Sequence, residues 1–204
     1  MRRLSPEPLI HDGAEIRSST LGAYCEIQTG TRLLNVRFGD YSYTDRFADI
    51  ANAEIGKFAN IAAFVRINGG NHPTWRVSQH HFQYRASMYW DDAEDEAEFF
   101  EWRASTPVVT GHDIWLGNGA LVMAGCRIGD GVVLGAGSVL TKDVPPYEIW
   151  AGNPARKIRD RHPPALAARL QAVAWWDWSH EALRKALPDF RALSVEGFLE
   201  KYEL

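Results

Sequence analysis

The chain has 204 residues, 46% of them hydrophobic and 24% charged, a balance that excludes a disordered polypeptide and allows one or two domains. A net charge of −4 gives no basic excess for nucleic acid, and the sequence contains no uncharged apolar run of the length needed to cross a membrane. Two cysteines, Cys25 and Cys126, are too few for a disulfide framework, and MRRLSPEPLI lacks the apolar stretch of a signal peptide, so a cytoplasmic, reducing location is expected.

In chain order, aliphatic residues first recur every six positions in short runs. Ile10 and Ile16 form one, Leu21, Ile27 and Leu33 a second, and Ile55, Ile61 and Ile67 a third, with Ala59 and Val65 at a recurring small position. The phase slips between runs, as single-residue deletions or bulges at turns would produce. Residues 73–107 then break the pattern with eight aromatics (Trp75, Phe82, Tyr84, Tyr89, Trp90, Phe99, Phe100 and Trp102) and an acidic run from Asp91 to Glu96. An insertion of this length in a compact fold is a functional loop or a disordered one, and the aromatics argue for order. From Thr110 the hexads run without a gap: TGHDIW, LGNGAL, VMAGCR, IGDGVV, LGAGSV, LTKDVP. Leu116, Val122, Ile128, Leu134 and Leu140 lead five of them, with Ala120, Cys126, Val132, Ser138 and Val144 at the small position. After Pro163-Pro164, Leu166, Leu170 and Val173 have helical spacing, and Leu183 and Leu187 mark a second helical stretch.

A six-residue period does not fit a helix of 3.6 residues per turn, which would spread the aliphatics over the whole helix surface, and internal glycines oppose a helix further. The period fits a solenoid with one short strand and one turn per hexad, three hexads closing a triangular coil. Gly117, Gly129 and Gly135 then leave room between packed coils, and Gly119, Gly131 and Gly137 occupy turns needing positive φ. Cys126 falls in an inward slot as an inert small hydrophobe. The predicted organisation is an all-β solenoid over residues 1–162, interrupted by the loop at 73–107, with an α-helical extension over 163–204 whose tryptophans pack on the solenoid flank or cap its end.

Five motifs carry a family resemblance: Asn71-His72; Asp113-Ile114-Trp115-Leu116-Gly117; Leu140-Thr141-Lys142-Asp143-Val144-Pro145-Pro146; Gly152-Asn153-Pro154-Ala155; and Trp175-Trp176-Asp177-Trp178. Together they resemble the hexapeptide-repeat acyltransferases of the xenobiotic, chloramphenicol and streptogramin type, over most of the chain. A subset of similar proteins is associated with phosphonate utilisation. The resemblance implies a left-handed parallel β-helix, an exception to the right-handed crossover rule that spacing alone does not reveal. It further implies acetyl-CoA as co-substrate, no metal, a homotrimer, and active sites where adjacent subunits meet.

Acyl transfer from a thioester needs a base for the attacking hydroxyl or amine, donors for the oxyanion, and a grip on the carrier. Of seven histidines (His11, His72, His80, His81, His112, His162 and His180), His72 sits where the solenoid opens into the aromatic loop, and the Asn-His motif points to it as the base. Asn71, Trp75, Phe82, Tyr84 and Trp115 are the candidate acceptor-binding residues, aromatic faces suiting a bulky amphiphile; Trp115 is equally consistent with burial. The resemblance implies that Gly117, Asn118, Ala136 and Gly137 line the pantetheine arm. Thr141 and Lys142, one coil face on, and Arg156 and Arg159, after the Asn-Pro-Ala turn, are the candidates for the phosphates of CoA, with which lysine and arginine pair well. Arg156 is equally consistent with a solvated surface charge. A zinc anhydrase on this fold would need paired histidines in the C-terminal coils; none lies between residues 113 and 161, where Asn118 and Met123 hold that spacing. A sugar or amino-sugar acceptor, and a non-catalytic CoA- or ligand-binding protein, are the alternatives to a xenobiotic acetyltransferase.

Overall fold

A computed structural model describes residues 3–203 as a left-handed parallel β-helix with an excursion loop and three C-terminal helices. The coil has three flat faces. On the first, Leu9–Ile10, Glu26–Ile27, Tyr43–Thr44, Asn60–Ile61, Trp115–Leu116, Val133–Leu134 and Glu148–Gly152 stack in parallel. Strands Arg32–Phe38 and Asp49–Ile55 bend around a corner and serve the other two faces.

Register explains the slipping phase. In the N-terminal coils partners lie 17 residues apart, as in Leu9 with Glu26 and Arg32 with Asp49. In the C-terminal coils they lie 18 apart, as in Trp115 with Val133. The missing residue is at one corner, where Ser18, Asn35 and Asn52 each make the turn in the left-handed region at φ 48°, 54° and 43°. Serine and asparagine tolerate this conformation better than bulkier residues do. The Asn35 amide donates to Asn52 Oδ1 at 2.8 Å, a ladder between successive turns of this asparagine corner.

The other two corners differ in chemistry. One stacks Tyr24, Tyr41 and Phe58, all at positive φ, with ring centroids 4.8 and 4.6 Å apart. The other carries Phe47 and Phe64 in the early coils and Gly119 and Gly137 in the late ones.

The predicted inward aliphatics from Ile27 to Leu140 are buried. The coil between the second and third runs, silent to an aliphatic search, uses Phe38, Thr44 and Ile50 at the same positions. Buried Thr44 is tolerated because its hydroxyl meets that of Thr31 at 3.1 Å. Cys25 and Cys126 are free and buried, and burial raises both thiols, Cys25 to about 11. Trp150 fills the inward position of the last coil.

Helices α1 (Ala97–Ala104), α2 (Pro164–Val173), α3 (His180–Ala192) and α4 (Val195–Tyr202) complete the chain. The first lies in the excursion loop; the last was not anticipated from spacing. Trp176 is buried against His112, the rings 5.0 Å apart, and Phe58 meets Trp175 edge-on at 4.7 Å, so the tail docks on the solenoid flank. No described helix is long and apolar enough to cross a membrane.

Candidate active site

The excursion leaves the coil after Asn68 and rejoins it at Val108, replacing the asparagine-corner turn of its own coil. Asn68 ties both ends: its side-chain amide donates to Asn52 O at 3.1 Å and to Thr106 O at 3.2 Å. This residue was not singled out by sequence; a left-handed asparagine at the last regular position before a loop is the signal that marks it.

The loop has a core of its own. Tyr84 is buried and stacks on Phe99 at 4.0 Å, with the Arg103 guanidinium 5.3 Å from the Tyr84 ring and 5.1 Å from Phe99. Arg76 grips Glu96 through two bonds of 2.6 Å, and this bidentate pair holds the Glu96 carboxyl below its ordinary value. Arg103 Nε donates to Asn71 O at 2.8 Å, so the cation that packs on the loop's aromatic core also fixes the backbone next to His72.

His72 is exposed, and its Nδ1 lies 2.8 Å from the Gln79 carbonyl and 3.3 Å from the Tyr84 hydroxyl. A carbonyl only accepts, so Nδ1 carries the proton and Nε2 is left with a free lone pair. The other histidines are engaged elsewhere. His11 meets Glu26, His80 Nδ1 accepts from Phe82 N, His81 meets the Tyr89 hydroxyl, and His180 meets the Tyr41 hydroxyl. His112 Nδ1 accepts from Lys57 N, and His162 packs on Tyr147.

Of the aromatic candidates, Trp75 is 60% exposed against Trp102, and Phe82 is exposed beside Trp90. Tyr84, expected on a pocket wall, is instead buried beneath His72. Trp115 is exposed on the first flat face, in line with Tyr43, and is not on the loop that carries His72 within one protomer.

The carrier candidates divide between two corners. Gly117-Asn118-Gly119 and Gly135-Ala136-Gly137 stack at the glycine corner, Gly137 N donating to Asn118 O at 2.8 Å. A Cβ on Gly117 would come within 2.5 Å of Ala136 N, so the turns close only around glycine. Beside Gly137, at φ +65°, a Cβ would meet nothing, which leaves backbone open to a ligand. The Gly152–Ala155 turn stacks on the same corner, Gly152 N donating to Ser138 Oγ at 3.0 Å.

Arg156 and Arg159 project from the second strand of that hairpin (Ala155–Asp160) and bond only to backbone carbonyls, whereas Lys157 between them is paired with Glu148 and Asp160. Thr141 and Lys142 are exposed at the asparagine corner, the Lys142 ammonium 5.2 Å from the Trp150 ring centre. No cluster of three potential metal ligands occurs among the described residues.

Comparison with known proteins places the fold in a family. Residues 107–142 match the family model "Bacterial transferase hexapeptide (six repeats)". A chloramphenicol acetyltransferase of Klebsiella aerogenes is 36% identical over 168 residues, covering 80% of this chain and 77% of the relative. One of Escherichia coli is 33% identical over 190 residues, covering 83% and 88%. Among solved structures, AntD, an N-acyltransferase from Bacillus cereus determined with coenzyme A, superposes with a TM-score of 0.59 at 18% identity, covering 80% of this chain and 89% of that one, and so shares the fold. This chain belongs to the hexapeptide-repeat acetyltransferases of the chloramphenicol acetyltransferase type.

Proposed function

We propose that the chain acetylates a hydroxyl or amine on a bulky, partly apolar small molecule, with His72 as general base. The observation that carries this reading is the 2.8 Å bond from His72 Nδ1 to the Gln79 carbonyl, which fixes the tautomer and leaves Nε2 as a proton acceptor. Nε2 takes the proton of the attacking group as its oxygen or nitrogen bonds to the acetyl carbon. The C–S bond then breaks, and the proton passes from Nε2 to the departing CoA thiolate.

Asn71, Trp75 and Phe82 form the acceptor side, with Tyr84 supporting His72 from beneath. Gly117, Asn118, Ala136 and Gly137 offer open backbone to the pantetheine arm. Thr141, Lys142, Arg156 and Arg159 serve the phosphates; among the described residues the two arginines have no carboxylate partner, which supports this, since each keeps its charge for a ligand.

The glycine corner and the loop are on different corners of one protomer, so the site is completed between subunits of a homotrimer. Exposed Tyr43, Trp115, Phe47 and Phe64, on one face and its adjoining corner, support an apposed subunit there, as Trp115 then reaches a neighbour's loop. The enzyme works in the cytoplasm, where acetyl-CoA is made and free cysteines persist. The solenoid with its loop carries the chemistry, and residues 163–204 form a supporting unit.

The test is thiol release from acetyl-CoA against a panel containing chloramphenicol, other bulky alcohols and amines, and sugars with free hydroxyls or amines. Turnover with a bulky apolar member bears the proposal out. Turnover confined to sugars refutes the acceptor class, and CoA binding without turnover on any member refutes catalysis.

A further inference from the structure

A well-formed cavity lies away from His72. It measures 620 Å³ and lies between the aromatic corner and the C-terminal helices. Its body is apolar: Phe58, Leu170, Trp175, Leu187, Phe190 and Phe198 are among its walls. Four adjoining groups, Asp113, Tyr147, Arg161 and His162, form a polar end, and His180, Arg184 and Asp189 also line the cavity. The volume falls in the range of sites that hold drug-sized molecules.

Two features of the polar end select a ligand. Tyr147 is 2% exposed, and its hydroxyl has no hydrogen-bond partner among the described residues. A buried hydroxyl left unpaired is costly, and a protein keeps one when something else supplies the partner. The second feature is charge. Arg161 Nη1 donates to Asp113 Oδ2 at 2.8 Å and to Gly131 O at 3.0 Å, so the cation beside Tyr147 is already paired. Burial holds the neighbouring His162 below its ordinary value, which keeps that ring neutral. A neutral hydroxyl or carbonyl at this end would satisfy Tyr147 without adding a buried charge beside the Asp113–Arg161 pair.

We propose that this cavity is a second ligand site, distinct from the acetyl-transfer centre, and that it takes a neutral amphiphile with an apolar body and one hydroxyl or carbonyl hydrogen-bonded to Tyr147. The site is independent of the His72 reading, because every residue it uses lies at the aromatic corner, in the segment that follows the last strand or on the C-terminal helices.

The experiment is displacement of the fluorescent apolar probe N-phenyl-1-naphthylamine from the intact protein at pH 8. Decan-1-ol should displace one probe per chain, and decanoate, equal in length but charged, should be weaker by at least about tenfold. Tyr147→Phe should weaken decan-1-ol by about three- to tenfold, the worth of one hydrogen bond, with an unchanged circular dichroism spectrum. Leu187→Trp should fill the cavity and abolish probe binding while thiol release persists. Equal affinity for decanol and decanoate, no probe binding at all, or undiminished decanol binding by folded Tyr147→Phe would each overturn the proposal. Tyr147→Phe keeps the shape of the side chain and loses only the unpaired hydroxyl, so the test stands even where the tryptophan variant fails to fold.

Discussion

His72→Ala and His72→Asn separate the chemistry of this side chain from its structural part. The ring makes one strong hydrogen bond, Nδ1 to Gln79 O at 2.8 Å, and meets Tyr84 edge-on with centroids 6.4 Å apart. Its removal should therefore cost the fold only about 1 kcal/mol, the net value of one such bond. If Nε2 is the base, kcat should fall by about 10² to 10⁴ in either variant, equivalent to roughly 3 to 5 kcal/mol of barrier. Asparagine sharpens the comparison, since its side-chain amide can keep the bond to the Gln79 carbonyl while offering no basic nitrogen. It should thus melt like the wild type yet be as inactive as alanine. Acetyl-CoA affinity should barely change in either, because the imidazole meets only the reacting end. Tyr84→Phe should cost less than about threefold in kcat, because the Nδ1 proton is already committed to Gln79 and the hydroxyl is a secondary partner. His80→Ala and His81→Ala, whose rings serve loop contacts, should keep most of the activity. The assay is thiol release with circular dichroism on each variant. A folded His72→Asn within about threefold of wild-type kcat, far short of the acid–base range, would refute the assignment.

Lys142→Ala should raise the KM for acetyl-CoA far more than it lowers kcat, and salt should weaken wild-type binding; steady-state kinetics giving the opposite split would count against a phosphate contact. Light scattering at micromolar concentration should report a trimer, and a monomer with full turnover would remove the intersubunit site. Acid should loosen the tail. His112 Nδ1 accepts from Lys57 N while its ring stacks on Trp176, an arrangement that needs the neutral form, and burial lowers its proton affinity. Its contribution is complete above the ordinary histidine value of about 6.5 and is lost as pH falls through the lower folded-state value. Thermal melts between pH 7.5 and 5.5 should show this loss, and His112→Asn, which keeps an acceptor for Lys57 without titrating, should flatten it.

The parts of the fold that could be read from sequence are those where one side-chain property repeats without compensation. Leu116 to Leu140 announce their coils because every inward position is aliphatic. Thr44 occupies the same position in an earlier coil and went unseen, since its fitness depends on Thr31 across the core, a contact that no local window contains. The site shows the same division. His72 was legible as a histidine at the mouth of a loop, but the carbonyl that orients it lies seven residues on, in a segment with no period to follow. Tyr84 was legible as an aromatic and misplaced as a pocket wall, because burial within an irregular loop is decided by partners such as Phe99 and Arg103.

The change from 17- to 18-residue coils bears on where chemistry is placed. In the early coils, single-residue turns at Ser18, Asn35 and Asn52 keep the asparagine corner tight, and the Asn35–Asn52 ladder ties successive turns to one another. The excursion replaces the turn at this same corner in the coil that follows Asn52, anchored to it through Asn68. The late coils restore the extra residue, and their corner has open backbone at Gly119 and Gly137, where the early coils carry Gly13 and Gly30 and then Phe47 and Phe64. The loop that bears the proposed base and the backbone proposed for the carrier thus arise at different corners on either side of one change in coil length. Deleting one residue of the Met123–Gly125 turn gives this corner the length of the early coils, which absorb the same loss in a single left-handed residue and keep Ile27, Leu33 and Ile50 inward. Such a chain should fold with Ile128, Leu134 and Leu140 still in the core and should keep its acetyl-CoA affinity, because the glycine corner lies beyond the altered turn. A chain that fails to fold, checked by circular dichroism, would show that the late coils do not tolerate the shorter turn and would refute the reasoning.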